Sequence, residues 1–130
     1  MPSLEKAQVI SNNQVSTSLF EMVVKAPQIV PLCNPGQFIH IRVSSQNDPL
    51  LRRPLSLYDV DRQQNTITLL YKVVGRGTEI LSRITAGEYL DIMGPLGRAF
   101  GYPQDGQTAL LVGGGAGIAP LLFVARELLG

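Results

Sequence analysis

From Gly36 to Val43 the chain alternates: Ile39, Ile41 and Val43 fall on one face, while Phe38, His40 and Arg42 fall on the other. That two-residue period marks a strand with one face against a core. Pro35-Gly36 supplies the turn that introduces it. Similar short runs recur on both sides. Ala7 to Ile10 predicts a first strand, closed by the turn formers Ser11, Asn12 and Asn13, and Leu19 to Val24 a second that ends before Ala26-Pro27. Leu55 to Val60 and Thr66 to Val74 predict two more, joined by the polar Asp61 to Asn65. Tyr89 to Met93 is a further strand, stopped by Gly94-Pro95. Thr78 to Ile84 is a short helical stretch, with Thr78 as its N-cap and Gly87 shortly after its end. Several short strands with one brief helix predict a mainly β fold, an antiparallel barrel closed or nearly closed on itself.

After Pro103 the pattern changes. Gln104 to Gln107 form a polar linker, and Thr108 to Val112 are an unbroken apolar strand of the kind buried in a parallel sheet. Gly113 to Gly117 make a tight glycine loop, and Ala119 to Leu129 a helix rich in Leu, Ala and Glu. Strand, glycine loop and helix open a βαβ unit. Two units are therefore expected: a barrel over residues 1–103 and the start of an α/β domain over 104–130.

Composition narrows the field by exclusion. Of 130 residues, 45% are apolar and 16% charged, as in an ordinary globular domain that buries a core without metal or disulfide staples. Eleven Lys and Arg against ten Asp and Glu leave a net charge of +1, which predicts neither a nucleic-acid surface nor a polybasic membrane patch. Cys33 is the one cysteine, so an intrachain disulfide and an iron–sulfur cluster held by four cysteines of this chain are both excluded. The apolar runs fall far short of the roughly 20 residues that span a bilayer. Met1 to Ile10 lacks a signal-peptide core, and a cytoplasmic protein is expected.

Three clusters could carry chemistry. Arg52-Arg53-Pro54-Leu55-Ser56 offers a guanidinium fork suited to phosphate oxygens and a hydroxyl close by; taken alone, it reads first as a basic strand end with a solvated arginine pair. Leu70-Tyr71-Lys72-Val73-Val74-Gly75-Arg76-Gly77-Thr78 joins an aromatic, two cations and two glycines to a helix start. It is as readily a capped glycine turn as a phosphate site. Two such clusters on either side of a hairpin favour a pyrophosphate. Gly113-Gly114-Gly115-Ala116-Gly117 lies between a buried strand and a helix with Pro120 in its first turn, the setting of a dinucleotide loop. The G-x-G-x-x-G spacing is not met there, so a plain strand-to-helix turn stays open. His40 reads as a barrel-surface residue, Cys33 as an incidental thiol, and Gly94 to Gly97 as a turn after the last barrel strand.

In this order the clusters resemble the ferredoxin-reductase superfamily, and most of all the electron-transfer subunits of class 1B dihydroorotate dehydrogenases. Asp48 to Ser56, Tyr71 to Thr78, Pro35 to Phe38, Gly94 to Gly97 and Gly113 to Pro120 carry the resemblance across nearly the whole chain. It implies a Greek-key FAD-binding barrel followed by a nicotinamide-binding α/β domain, of which only the first strand and helix are found here. By the resemblance, Arg53, Pro54, Leu55 and Ser56 would hold FAD, with Arg53 on the pyrophosphate and Ser56 near the reactive edge of the flavin. Leu70, Tyr71 and Lys72 would line the flavin or ribityl side. Gly77 and Thr78 would bind phosphate, and Gly113, Gly114, Gly115 and Gly117 would meet NAD. The family passes electrons from an FMN-containing catalytic subunit through a [2Fe-2S] cluster to FAD and then NAD, in pyrimidine biosynthesis. The cluster cysteines have no counterpart here. Another flavin reductase subunit, serving a hydrogenase, a sulfide-oxidising or a transhydrogenase complex, and a cofactor-less interaction barrel are the competing readings. An isolated strand and helix would also expose apolar surface and invite self-association.

Overall fold

The computed structural model describes residues 2–42, 52–99 and 121–129. Six strands, β1 (Ser3–Gln14), β2 (Leu19–Lys25), β3 (Phe38–Arg42), β4 (Arg53–Asp61), β5 (Thr66–Lys72) and β6 (Tyr89–Leu96), close into a barrel in the order β1-β2-β5-β4-β3-β6. Every pairing is antiparallel, and closure gives each strand a neighbour on both sides. The alternation along β3 is the expected one, with Ile39 and Ile41 fully buried; Val43 lies outside the described residues. Val9, Met22, Val24, Leu57, Ile67, Leu69 and Ile92 join them in the barrel interior. Each such side chain contributes about 1.5–3 kcal/mol on burial.

Two strands run past the residues expected to stop them, while β5 ends at Lys72, short of the expected Val74. The first strand does not stop at Ile10. It continues to Gln14, and the turn formers Ser11, Asn12 and Asn13 lie within it. A register shift between Val9 and Ser11 inserts one residue, so that Val9 pairs with Val24 and Asn12 with Met22. Both partners are buried. The bulge therefore hands the inward face from odd to even positions, and Asn12 points inward. The last barrel strand likewise runs on through Gly94-Pro95, a cis peptide, to Leu96. Gly94 pairs with Ser3 and Leu96 with Phe38, so only Gly97, with φ of 82°, makes the turn. A Cβ at Gly94 would lie 2.8 Å from Ile39 Cγ2, and this close approach is what a glycine permits.

The register defines two barrel ends, one where Leu19 meets Lys72 and the other where Lys25 meets Thr66. At the first, helix α1 (Arg76–Ser82) follows β5 and inserts the fully buried Leu81. At the second, Ala26, Ile29, Val30 and Cys33 fold inward around a short 3-10 turn, Val30–Leu32. The Glu5 carboxylate accepts the N–H groups of Gln28 and Ile29 there, at 3.1 Å each. Helix α2 (Leu121–Leu129) packs against β4, with Phe123 and Val124 buried and Leu129 exposed. The Arg62 guanidinium donates to the carbonyls of Val30 and Cys33, pairs with Glu127 at 2.5 Å and lies 5.9 Å from the Phe123 ring centre. Arg126 pairs with Asp59 at 3.1 Å. The apolar strand expected at Thr108 to Val112 falls outside the described residues.

Candidate functional site

The two adjacent arginines part company because β4 alternates. Arg52, just before the strand, donates to Asp91 on β6, reaching its carbonyl and its Oδ1 at 3.0 Å each. Arg53 shares the inward side with Leu55 and Leu57, at the barrel end that carries α1. Its side chain lies over Gly77. A Cβ on Gly77 would collide with Arg53 Nε and come within 3.2 Å of Cγ and Cδ. Among the described residues the Arg53 guanidinium has no hydrogen-bond partner, while Arg52 is spent on a structural bridge. The two arginines are thus not equivalent, and both are half-buried.

Pro54 takes the unpaired side of the strand start. Leu57 N donates to Gln37 O at 3.3 Å; by antiparallel alternation, the donor that Pro54 lacks would point away from β3. On that side β5 pairs with β4 only from Leu57 onward. Proline therefore costs no ladder bond at this position. Ser56 is half-exposed on the outer side with Pro54, and Leu55 packs against the core.

On β5 the three expected cofactor residues divide by face. Leu70 is half-buried and Lys72 exposed on the outside. Tyr71 points inward and is only 3% exposed. Its ring stacks on Phe20 at 5.7 Å, and its hydroxyl donates to Asn12 Oδ1 at 2.8 Å. Burial pushes the phenol up to about 12, against the opposing hydrogen bond with Asn12. Any contact Tyr71 makes outside the barrel therefore runs through its backbone.

The helix begins earlier than the sequence suggests, and Thr78 is not its N-cap. Gly75 holds that position in extended backbone. Thr78, at the third helical position, accepts the N–H groups of Val74 and Gly75 at 3.0 and 3.2 Å and donates to Gly75 O at 3.1 Å. A threonine there closes the entry turn on itself. Its hydroxyl proton is thereby committed, while the first-turn N–H groups keep no intrahelical acceptor.

Asn12 was passed over in the sequence as a turn former. Its Nδ2 donates to the carbonyls of Leu81 and Ile84, at 2.9 and 2.8 Å, at the far end of α1. The expected surface position of His40 agrees with its half-exposed ring, 5.5 Å from that of Phe38. Cys33 is 1% exposed, and burial raises its thiol to about 12, with Arg62 pulling the other way. Gly113, Gly114, Gly115 and Gly117 lie outside the described residues. Among the described residues, no three His, Cys, Asp or Glu side chains gather as a metal site.

Comparison with known proteins follows the same lines. The family model "Oxidoreductase FAD-binding domain" matches residues 3–101. The chain is 44% identical over 98% of its length to the "Dihydroorotate dehydrogenase B (NAD(+)), electron transfer subunit" of Desulforamulus reducens. It is 41% identical over 95% of its length to the protein of that name from Lysinibacillus sphaericus. In both cases it spans 49% of the relative, about half the length of these curated proteins. Among solved structures, NADH-dependent reduced ferredoxin-NADP oxidoreductase superposes with a TM-score of 0.85 at 29% identity, covering 96% of this chain and 44% of that one. With the match spanning the whole barrel, the chain belongs to the oxidoreductase FAD-binding domain family.

Proposed function

We propose that this chain is the FAD-binding portion of a dihydroorotate dehydrogenase electron-transfer subunit, passing electrons from dihydroorotate oxidation towards NAD. The observation that carries the reading is Arg53 lying across Gly77 at the α1 end of the barrel. A side chain without a Cβ beneath it and a guanidinium without a hydrogen-bond partner among the described residues form a cradle that suits a doubly charged pyrophosphate. Arg53, Pro54, Leu55 and Ser56 would hold the cofactor from β4. Leu70, Lys72 and the backbone of Tyr71 would do so from β5, and Gly77 and Thr78 from the first turn of α1. The flavin, when bound, supplies the electron-carrying chemistry, and the protein supplies its position.

Residues 1–103 form the flavin unit in this reading, and 104–130 open a nicotinamide unit whose loop, Gly113 to Gly117, would meet NAD. The partner would be an FMN-containing catalytic subunit in the cytoplasm. With Cys33 alone and buried, the ligands of a [2Fe-2S] cluster would have to come from outside these 130 residues. The reading is tested by the visible spectrum of the purified chain after addition of FAD and desalting. Flavin bands near one equivalent are expected, and Arg53→Ala with Ser56→Ala should remove them. A folded chain that retains no flavin would defeat the assignment and leave the barrel as an interaction module.

A further inference from the structure

We infer that Asn12 is a positioning residue that sets the first turn of α1 against Arg53, acting through the opposite end of that helix and through Tyr71. The inference rests on the FAD reading given above and assigns the cofactor cradle a support that makes no contact with it.

A primary amide has two N–H donors and a carbonyl acceptor, and Asn12 uses them all on this one task. Both N–H groups go to carbonyls, of Leu81 at 2.9 Å and Ile84 at 2.8 Å, where a helix end leaves acceptors unsatisfied. The carbonyl takes the Tyr71 hydroxyl at 2.8 Å. Exchanging the amide's oxygen and nitrogen would set N–H against O–H and oxygen against two carbonyls, so the orientation is fixed by its partners. The three partners come from two places in the chain, Tyr71 on the buried β5 and Leu81 and Ile84 at the end of α1, and the bulged β1 brings Asn12 to both. Tyr71 is itself locked by Phe20 stacked on its ring.

The lever is short. Helix α1 has seven residues, about 10 Å at 1.5 Å per residue, so displacement at Leu81 is carried to Gly77 with little loss. At Gly77 the Arg53 side chain already fills the space a Cβ would need, so a shift of the helix turn also shifts the place of the guanidinium. The β1 bulge has a purpose in this light: without the register shift, Ser11 would pair with Met22 and face inward in place of Asn12.

The test measures FAD affinity by flavin fluorescence on the full chain for wild type, Asn12→Ala, Asn12→Asp and Tyr71→Phe. Hydrogen exchange at Gly77 to Glu79 is followed without cofactor. Ile67→Val, a core change at the barrel end opposite α1, shows what a loss of stability does by itself. Tyr71→Phe keeps the ring and removes one hydrogen bond, so FAD affinity should fall about three- to tenfold. Asn12→Ala should cost more, and Asn12→Asp at least as much, since a carboxylate cannot donate to the two carbonyls. In each variant the Gly77 to Glu79 amides should exchange faster, and Ile67→Val should change neither readout. If Asn12→Ala does not fold, Tyr71→Phe decides. Equal FAD affinity in wild type and Tyr71→Phe, or an equal loss in Ile67→Val, overturns the role of Asn12. A wild-type chain that binds no FAD overturns the functional reading instead.

Discussion

Neighbouring residues of like chemistry hold unlike positions in this chain, and the difference is set by which way a strand turns each side chain. Arg52 is tied to Asp91 and Arg53 lies over Gly77. Replacing Gly77 with Ala separates binding from stability. Alanine favours a helix by up to about 1 kcal/mol over glycine, and the Arg53 side chain, being flexible, can move aside. Thermal stability should therefore change little, while FAD affinity should drop about tenfold or more as the guanidinium leaves its place. An unchanged affinity, measured by fluorescence titration, would detach Arg53 from the cofactor. Asp59 offers a second residue-scale outcome. Its Oδ1 is buried without a hydrogen-bond partner, and burial raises its carboxyl above the ordinary 3.8 despite a backbone hydrogen bond and Arg126. Between that ordinary value and the raised folded one, the folded chain keeps a proton that the unfolded chain has released. Stability from this group accordingly falls as pH rises through the window. Asp59→Asn removes that slope, so the melting temperature of the variant relative to wild type should climb with pH across it. A flat difference would mean that Asp59 titrates normally.

At the level of elements, the barrel was legible wherever the two-residue period ran unbroken. Leu19 to Val24 and Leu55 to Val60 fall on strands of the structure, as do Phe38 to Arg42 of the Gly36 to Val43 run and Thr66 to Lys72 of the Thr66 to Val74 run, whose last two residues lie beyond β5. What failed were rules that treat certain residues as stops. Ser11-Asn12-Asn13 carries the composition of a turn, yet long-range pairing with β2 holds it extended and a bulge absorbs the odd residue. Gly94-Pro95 reads as a break, yet both residues are buried in β6 because Ile39 needs the space of a missing side chain. In each case partners far away in sequence overrode a local preference. The candidate site divided in the same way. Arg53 and Gly77 could be marked from residue type, but their contact depends on barrel closure, and no local pattern signals Asn12. Gly94→Ala tests this view of β6. The new methyl would sit 2.8 Å from Ile39 Cγ2 and 3.4 Å from the Ile39 backbone, in a barrel wall that cannot open. A loss of about 1–3 kcal/mol in denaturant unfolding is expected, whereas Gly75→Ala, with nothing within 4 Å of the new methyl, should cost far less.

Across the whole molecule the question is how helix α2, which follows the barrel in the chain, is held to it. Among the described residues, helix α2 meets the barrel through the buried Phe123 and Val124 and two ion pairs, and Arg62 joins the Phe123 contact to one of the pairs. Its guanidinium covers the Phe123 ring, pairs with Glu127 and caps the carbonyls of Val30 and Cys33. Hydrogen bonds to a charged group are each worth about 1.5–3 kcal/mol when partly buried, while the more exposed part of the pairing adds little. Arg62→Ala should therefore loosen α2 and the 3-10 turn together, leaving the other barrel strands intact. Cys33 reports that opening directly. With its thiol buried and held near 12, labelling by a thiol reagent at pH 8 should run on the order of a thousandfold slower than in the unfolded chain. In Arg62→Ala the rate should rise while far-ultraviolet circular dichroism stays constant, and the amides of Phe123 to Leu128 should exchange faster than those of β2 and β5. Phe123→Ala should have the same signature with a larger loss, about 3–5 kcal/mol if the site does not collapse. Should Cys33 label at the wild-type rate in both variants, the helix and the turn are held independently.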